Sequence, residues 1–122
     1  MTKKILVVED TEDNRQILRD LLSMAGYEMV EAHDGAEGVK KATEHRPDLI
    51  LMDIQMPVMD GYEATRRIKA NPELKSIPIV AVTSYALSGD EEKTRAAGCD
   101  AYIAKPYSPR QMLAKVREIL GA

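Results

Sequence analysis

Asp48-Leu49-Ile50-Leu51-Met52-Asp53 sets four consecutive large apolar residues between two aspartates. A strand with one wet face alternates apolar and polar residues. A continuous apolar run reads instead as a strand buried on both faces, the habit of parallel sheets covered by helices. An aspartate directly after such a run has few structural duties, and holding its charge there is costly without a partner. Fold and site are therefore both read outward from Asp53.

Four further short apolar runs flank it: Ile5–Val8, Met29–Ala32, Ile79–Val82 and Ala101–Ala104. Those around Val7 and Val80 are again continuous. The segments between them carry helical spacing and helix-start signals. Ile17, Leu18, Leu21, Leu22 and Ala25 recur on one stripe, with Gly26 as the stop. Asp34 with Glu37, Asp60 with Glu63, Ser88 with Glu91 and Ser108 with Gln111 stand at capping-box spacing. Pro109 falls at the first position of the last helix, where its missing N–H costs nothing. Met112, Leu113, Val116, Ile119 and Leu120 form that helix's apolar stripe, and Gly98 and Gly121 close the fourth and fifth helices.

Strands alternating with helices give a (βα)₅ chain of the α/β class, a parallel sheet with helices on both faces. Right-handed crossovers leave few topologies, and the doubly wound order 2-1-3-4-5 is expected. In such a sheet ligands bind beyond the carboxyl ends of the strands where the winding reverses, here between strands one and three.

The bulk numbers agree with one domain over residues 1–122 and an aliphatic core, since the chain has no Trp or Phe and only five Tyr. Seventeen basic and twenty acidic residues leave a net charge of −3, without the basic footprint of a nucleic-acid binder. The lone Cys99 excludes an internal disulfide, suits a reducing cytoplasm and reads as a small, partly buried residue. Met1-Thr2-Lys3-Lys4 runs straight into Ile5, and no apolar run approaches the ~20 residues that span a bilayer. A soluble cytoplasmic protein is expected.

At the strand ends stand Glu9-Asp10 after the first, Asp53 after the third, Thr83-Ser84 after the fourth and Lys105-Pro106 after the fifth. Carboxylates gathered at one edge repel one another unless a cation neutralises them. A hard divalent ion such as Mg²⁺ suits them, because it takes one or two carboxylates and keeps waters that phosphate oxygens can replace. Lys105 and the Thr83 hydroxyl would then meet the same phosphoryl group. Asp53 suits the role of nucleophile in forming an acyl phosphate, since a carboxylate needs no general base. Singly, each residue has a plainer reading. Glu9 and Asp10 suit the start of helix one, Thr83 a strand-ending hydroxyl, and Lys105 a solvated charge. Together, at successive strand ends, they favour the chemical reading. His33, His45, Lys40-Lys41 and Arg66-Arg67 read as surface, and Met52, Met56 and Met59 as filling.

Four segments, Val7-Val8-Glu9-Asp10, residues 48–61, Ala81-Val82-Thr83-Ser84 and Ala101-Tyr102-Ile103-Ala104-Lys105-Pro106, resemble receiver domains of two-component response regulators, and the likeness runs over essentially the whole chain. The resemblance implies a flavodoxin-like three-layer sandwich in which Asp53 accepts a phosphoryl group from the phosphohistidine of a histidine kinase or phosphotransferase. It implies Mg²⁺, with Mn²⁺ as a substitute, on Glu9, Asp10, Asp53 and the backbone carbonyl of Gln55. It further implies Lys105 on the phosphate with a cis Lys105–Pro106 bond, a conformer cheap only before proline. Thr83 and Tyr102 would form a switch, read out on helix four, strand five and helix five. Met59-Asp60-Gly61-Tyr62 and residues 84–90 are similar to single-domain regulators of cell-division control and to receivers of hybrid kinases. That likeness implies a monomer or weak dimer that meets a downstream protein or relays phosphate and touches neither DNA nor membrane.

Three other classes remain open. An aspartate-nucleophile phosphohydrolase wants a second Asp two residues after the nucleophile, where this chain has Gln55, so slow self-dephosphorylation is expected instead of turnover. A receiver-like module that has lost phosphorylation conflicts with Asp10, Asp53 and Lys105. A flavodoxin-like cofactor carrier would be coloured.

Overall fold

Five strands and five helices alternate along the described residues, which in the computed structural model are 2–54, 59, 61–83 and 90–121, the side chains of Asp90, Glu91, Lys93 and Thr94 excepted. The strands are β1 (Lys4–Val8), β2 (Glu28–Ala32), β3 (Leu49–Asp53), β4 (Ile79–Thr83) and β5 (Ala101–Ala104). The helices are α1 (Glu12–Met24), α2 (Gly35–His45), α3 (Gly61–Ala70), α4 (Asp90–Ala97) and α5 (Pro109–Leu120). All strand pairings are parallel, in the order β2-β1-β3-β4-β5. This is the doubly wound arrangement expected of the sequence. The three strands with continuous apolar runs are the three inner ones, while β2 and β5, at the edges, are only partly buried.

Alternation along each strand sends side chains to two separate cores. Leu6, Val8, Ile50, Met52, Ile79 and Ala81 meet Ala42 of α2 and Ala64 and Ile68 of α3. Ile5, Val7, Leu49, Leu51, Val80 and Val82 meet Leu18 and Leu22 of α1 and Met112 and Val116 of α5. Each fully buried Leu or Ile contributes about 1.5–3 kcal/mol relative to exposure, so these two layers hold the sheet in place. The register Ile5↔Leu49, Ile50↔Ile79 and Val80↔Ala101 brings the carboxyl ends of β1, β3, β4 and β5 to one edge. One member of the expected α1 stripe departs from the core. Ile17 is 57% exposed, because it faces the gap between α1 and the segment after β5.

The caps follow local chemistry. Ser108 accepts from the Gln111 N–H, the Gln111 side chain accepts from the Ser108 N–H, Pro109 opens the helix, and Gly121 ends it in the left-handed region at φ 72°. Such a cap is worth about 1 kcal/mol. At α2, Asp34 accepts from the Glu37 N–H, but the Glu37 carboxylate accepts from the His33 N–H, one residue earlier than a capping box requires. The pairs Asp60/Glu63 and Ser88/Glu91 fall partly outside the described residues. No glycine marks the end of α2; Arg46 takes the left-handed conformation there, at φ 46°.

Candidate functional site

The winding of the sheet reverses between β1 and β3, and the ends of those strands carry the acidic residues. Glu9 follows Val8 directly and is buried, with its N–H donated to the Ala32 carbonyl of β2. Asp10 is exposed. Asp53, the last residue of β3, is 4% exposed, and Thr83, the last of β4, is fully buried. Lys105 follows β5 by one residue; its N–H donates to the Thr83 carbonyl at 2.7 Å, and the Lys105–Pro106 bond is cis. The fold thus brings Glu9, Asp10, Asp53, Thr83 and Lys105 to one edge. Gln55 lies outside the described residues. Tyr102 is half-buried and registers with Ala81, so alternation puts it on the same face as Thr83.

Lys105 Nζ stands 3.2 Å from Asp53 Oδ1 and 4.0 Å from Glu9 Oε1. Lys105 thus meets two of the carboxylates, and carboxylate oxygens of Glu9, Asp10 and Asp53 lie within 4.8 Å of one another. Burial, and next the neighbouring Asp53 carboxylate, push the Glu9 carboxyl up to about 8; Asn14 and Lys105 pull in the opposite direction. Tyr107, against the same group, is raised by burial and by the charges of Glu9 and Asp53.

The donor set fits a small hard cation. Glu9 Oε2 is buried without a hydrogen-bond partner among the described residues, which is costly unless something else meets it. Oxygens ligating one Mg²⁺ at about 2.1 Å lie at most about 4.2 Å apart. Cis ligands stand about 3.0 Å apart, so the three oxygens, which lie within 4.8 Å of one another, close in by side-chain rotation or reach the ion through its waters.

Gly61, at the start of α3, allows a close approach behind Asp53. A Cβ there would run into the Asp53 carbonyl oxygen and the Ile54 backbone. On the other side, α1 and the β5–α5 connection flank a cavity of about 550 Å³, with Asp53, Glu9 and Lys105 among its polar walls and Ile17, Leu18 and Tyr107 among its apolar ones.

Comparison with known proteins matches residues 5–117 to the response regulator receiver domain. The chain belongs to this family. The receiver domain is 46% identical over 121 residues to the polar-differentiation response regulator DivK of Brucella ovis, covering 99% of this chain and 98% of that one. Among solved structures it is similar to the receiver domain of a sensor histidine kinase from Pseudomonas aeruginosa, at 37% identity, TM-score 0.92 and full coverage of both chains. That structure has a magnesium ion coordinated in its active-site cleft. The chemotaxis protein CheY4 of Vibrio cholerae superposes with a TM-score of 0.93 at 32% identity, over 98% of this chain and all of that one. The receiver domain is thus part of a two-component system, a signalling switch of the flavodoxin-like, chemotaxis-regulator type.

Two residues beside the site were not singled out from the sequence. Asn14 donates its amide to Glu9 Oε1 at 2.5 Å, and Arg15 donates Nη1 to the Glu9 carbonyl at 2.6 Å. Nothing local marked them: Asn14 is the third residue of α1, in a first turn where a short polar side chain is ordinary. The residues read as surface lie apart from the acidic cluster. His33 is exposed beside Asp34 and Glu37, and Arg66 and Arg67 pair with Glu63. Cys99 is half-buried; its thiol donates to Thr65 Oγ1 and is raised by burial. Among the described residues, no helix is long and apolar enough to cross a membrane.

Proposed function

We propose that this chain is a single receiver domain that works as a phosphorylation-activated switch, with Asp53 as the acceptor. The observation that carries the reading is the convergence on Asp53 of the Lys105 ammonium at 3.2 Å and of the Glu9 and Asp10 carboxylates. A carboxylate oxygen of Asp53 attacks phosphorus of a phosphohistidine in a histidine kinase or phosphotransferase. The new O–P bond forms as the P–N bond breaks, and the imidazole leaves with the electron pair. Catalysis of this transfer is positioning plus charge neutralisation.

Glu9, Asp10, Asp53 and the backbone carbonyl of Gln55 would hold Mg²⁺, or Mn²⁺ in its place. The bound ion supplies positive charge and a template for the phosphoryl oxygens. Lys105 exchanges its contact with Asp53 for one with a phosphoryl oxygen, a charge-assisted bond. Thr83 donates its hydroxyl to another oxygen, and Tyr102 turns into the space that Thr83 leaves. The two arrangements form an equilibrium biased by phosphate contacts, read on the face of α4, β5 and α5. Because Gln55 stands where a hydrolase has its second acid, the acyl phosphate decays slowly and serves as a timer. In this reading the domain acts in the cytoplasm, as a monomer or weak dimer. It addresses a downstream protein or relays phosphate, without contact to nucleic acid or membrane.

The test is modification by acetyl phosphate, or by beryllofluoride, with Mg²⁺. Wild type responds, Asp53→Asn does not, and Lys105→Ala keeps its metal affinity while losing the response. An equal response in wild type and Asp53→Asn means that the acceptor is another residue.

A further inference from the structure

The acidic cluster is useful to a cation only if its carboxylates are held apart from competing partners and aimed. Glu9 is the member with the most elaborate support. Its N–H is fixed on the Ala32 carbonyl at 3.0 Å, its own carbonyl accepts from Arg15 Nη1 at 2.6 Å, and its Oε1 accepts from Asn14 Nδ2 at 2.5 Å. Arg15 is itself fixed: its side chain is 14% exposed, Nη2 lies 2.5 Å from Glu12, and Nε lies 3.4 Å from Glu31. Arg19 holds those same two carboxylates, at 3.2 Å and 2.6 Å. The two residues that grip Glu9 are neighbours in α1, so one helix turn, tied to β2 through Glu31, sets both the main chain and the carboxyl group of this residue.

With one carboxyl oxygen occupied by an amide donor, the group has a single remaining oxygen to offer. That atom, Oε2, is buried and has no hydrogen-bond partner among the described residues. A buried oxygen that takes no hydrogen bond from a described N–H or hydroxyl, on a carboxyl lying against that of Asp53, is poised for a cation that would separate the two. The Asn14 bond fixes which oxygen it is and which way the plane of the carboxyl faces.

We propose that Asn14 is a positioning residue for the cation site, holding the Glu9 carboxyl through Oε1 so that Oε2 serves as the metal-directed atom, with Arg15 locking the main chain beneath it. The proposal rests on the reading of Glu9, Asp10 and Asp53 as a Mg²⁺ site. Groups that orient a metal ligand from behind commonly carry a 10- to 100-fold share of affinity. Asn14 is suited to a clean test because alanine has the higher helix propensity and the cap residue of α1 is Thr11, so its replacement leaves the helix start in place.

The experiment is calorimetric titration of the whole protein with MgCl₂, together with thermal unfolding without metal. Asn14→Ala is expected to weaken Mg²⁺ binding by about tenfold, while its metal-free unfolding temperature stays close to wild type. Asn14→Gln, which keeps the amide donor on a longer arm, is expected to recover most of the affinity. An affinity for Asn14→Ala within about twofold of wild type would overturn the proposal. So would equal losses in the alanine and glutamine variants, or a loss of affinity that only follows a loss of fold. If wild type itself takes up no Mg²⁺, the cation site is at fault and not Asn14 alone.

Discussion

Mg²⁺ binding should release a proton from Glu9, and its strength should therefore depend on pH. The Glu9 carboxyl is pushed up to about 8, chiefly by burial and next by the Asp53 carboxylate. A metal needs the ionised oxygen, so below that value each binding event expels one proton. From linkage, the apparent affinity at pH 7 lies about tenfold below its high-pH limit, and at pH 6 about a hundredfold below. Calorimetry in two buffers of different ionisation enthalpy reads the number of protons released, and titrations from pH 6 to 9 read the affinity. Close to one proton at pH 6.5 and almost none at pH 9 are expected. The same group affects folding without metal. An unfolded glutamate loses its proton near 4.5, while the folded one keeps it to about 8. The folded state thus binds more protons in that window, and Glu9's contribution to stability falls as pH rises through it, levelling off above 8. A dissociation constant that is flat from pH 6 to 8, with no proton released, would refute the assignment of Glu9 as a neutral ligand awaiting a cation.

Two further outcomes probe the frame around the site. Gly61→Ala forces a methyl group against the Asp53 carbonyl and the Ile54 backbone, so it should cost about 1–3 kcal/mol and lower the unfolding midpoint by several degrees; an unchanged midpoint in calorimetry counts against that contact. Lys69, 18% exposed, donates to the carbonyls of Lys75 and Ile77 and to Asp100 Oδ2, which in turn accepts from the Ile79 N–H. Lys69→Met should therefore cost about 2 kcal/mol with an unchanged slope in urea denaturation, and a loss under about 0.5 kcal/mol would show this tether to be idle.

Strand order and layering were legible because the signals are local and repeated. The apolar runs at Val7, Ile50 and Val80 announce burial on both faces, and Ser108, Pro109 and Gly121 bracket α5 with their own chemistry. The strand ends were legible for the same reason, since each lies one residue from its run. The support for Glu9 was not. Asn14 and Arg15 sit among charged residues that look solvated, and only the approach of α1 to the end of β1 gives them partners. Lys69 and Asp100 are separated by 31 residues, and nothing local distinguishes them from surface charges. The exposure of Ile17 had the same origin: an apolar stripe tells which way a helix faces but not where its neighbour stops. The Glu37 contact with His33 shows that spacing finds a helix start more surely than it finds the donor that each side chain will choose.

In the order β2-β1-β3-β4-β5, the middle strand is β3. The chain first makes a pair, β1 with β2, and last makes another, β4 with β5; only β3 stitches the two halves into one sheet. Asp53 stands just past the last β1 pairing, Val8↔Met52, and pairs with Val82 on the other side. Its carboxylate touches both sides at once, Glu9 at the end of the early half and Lys105 at the end of the late half. A modification of this one side chain would therefore meet groups from both ends of the sheet while the strand pairings stay as they are.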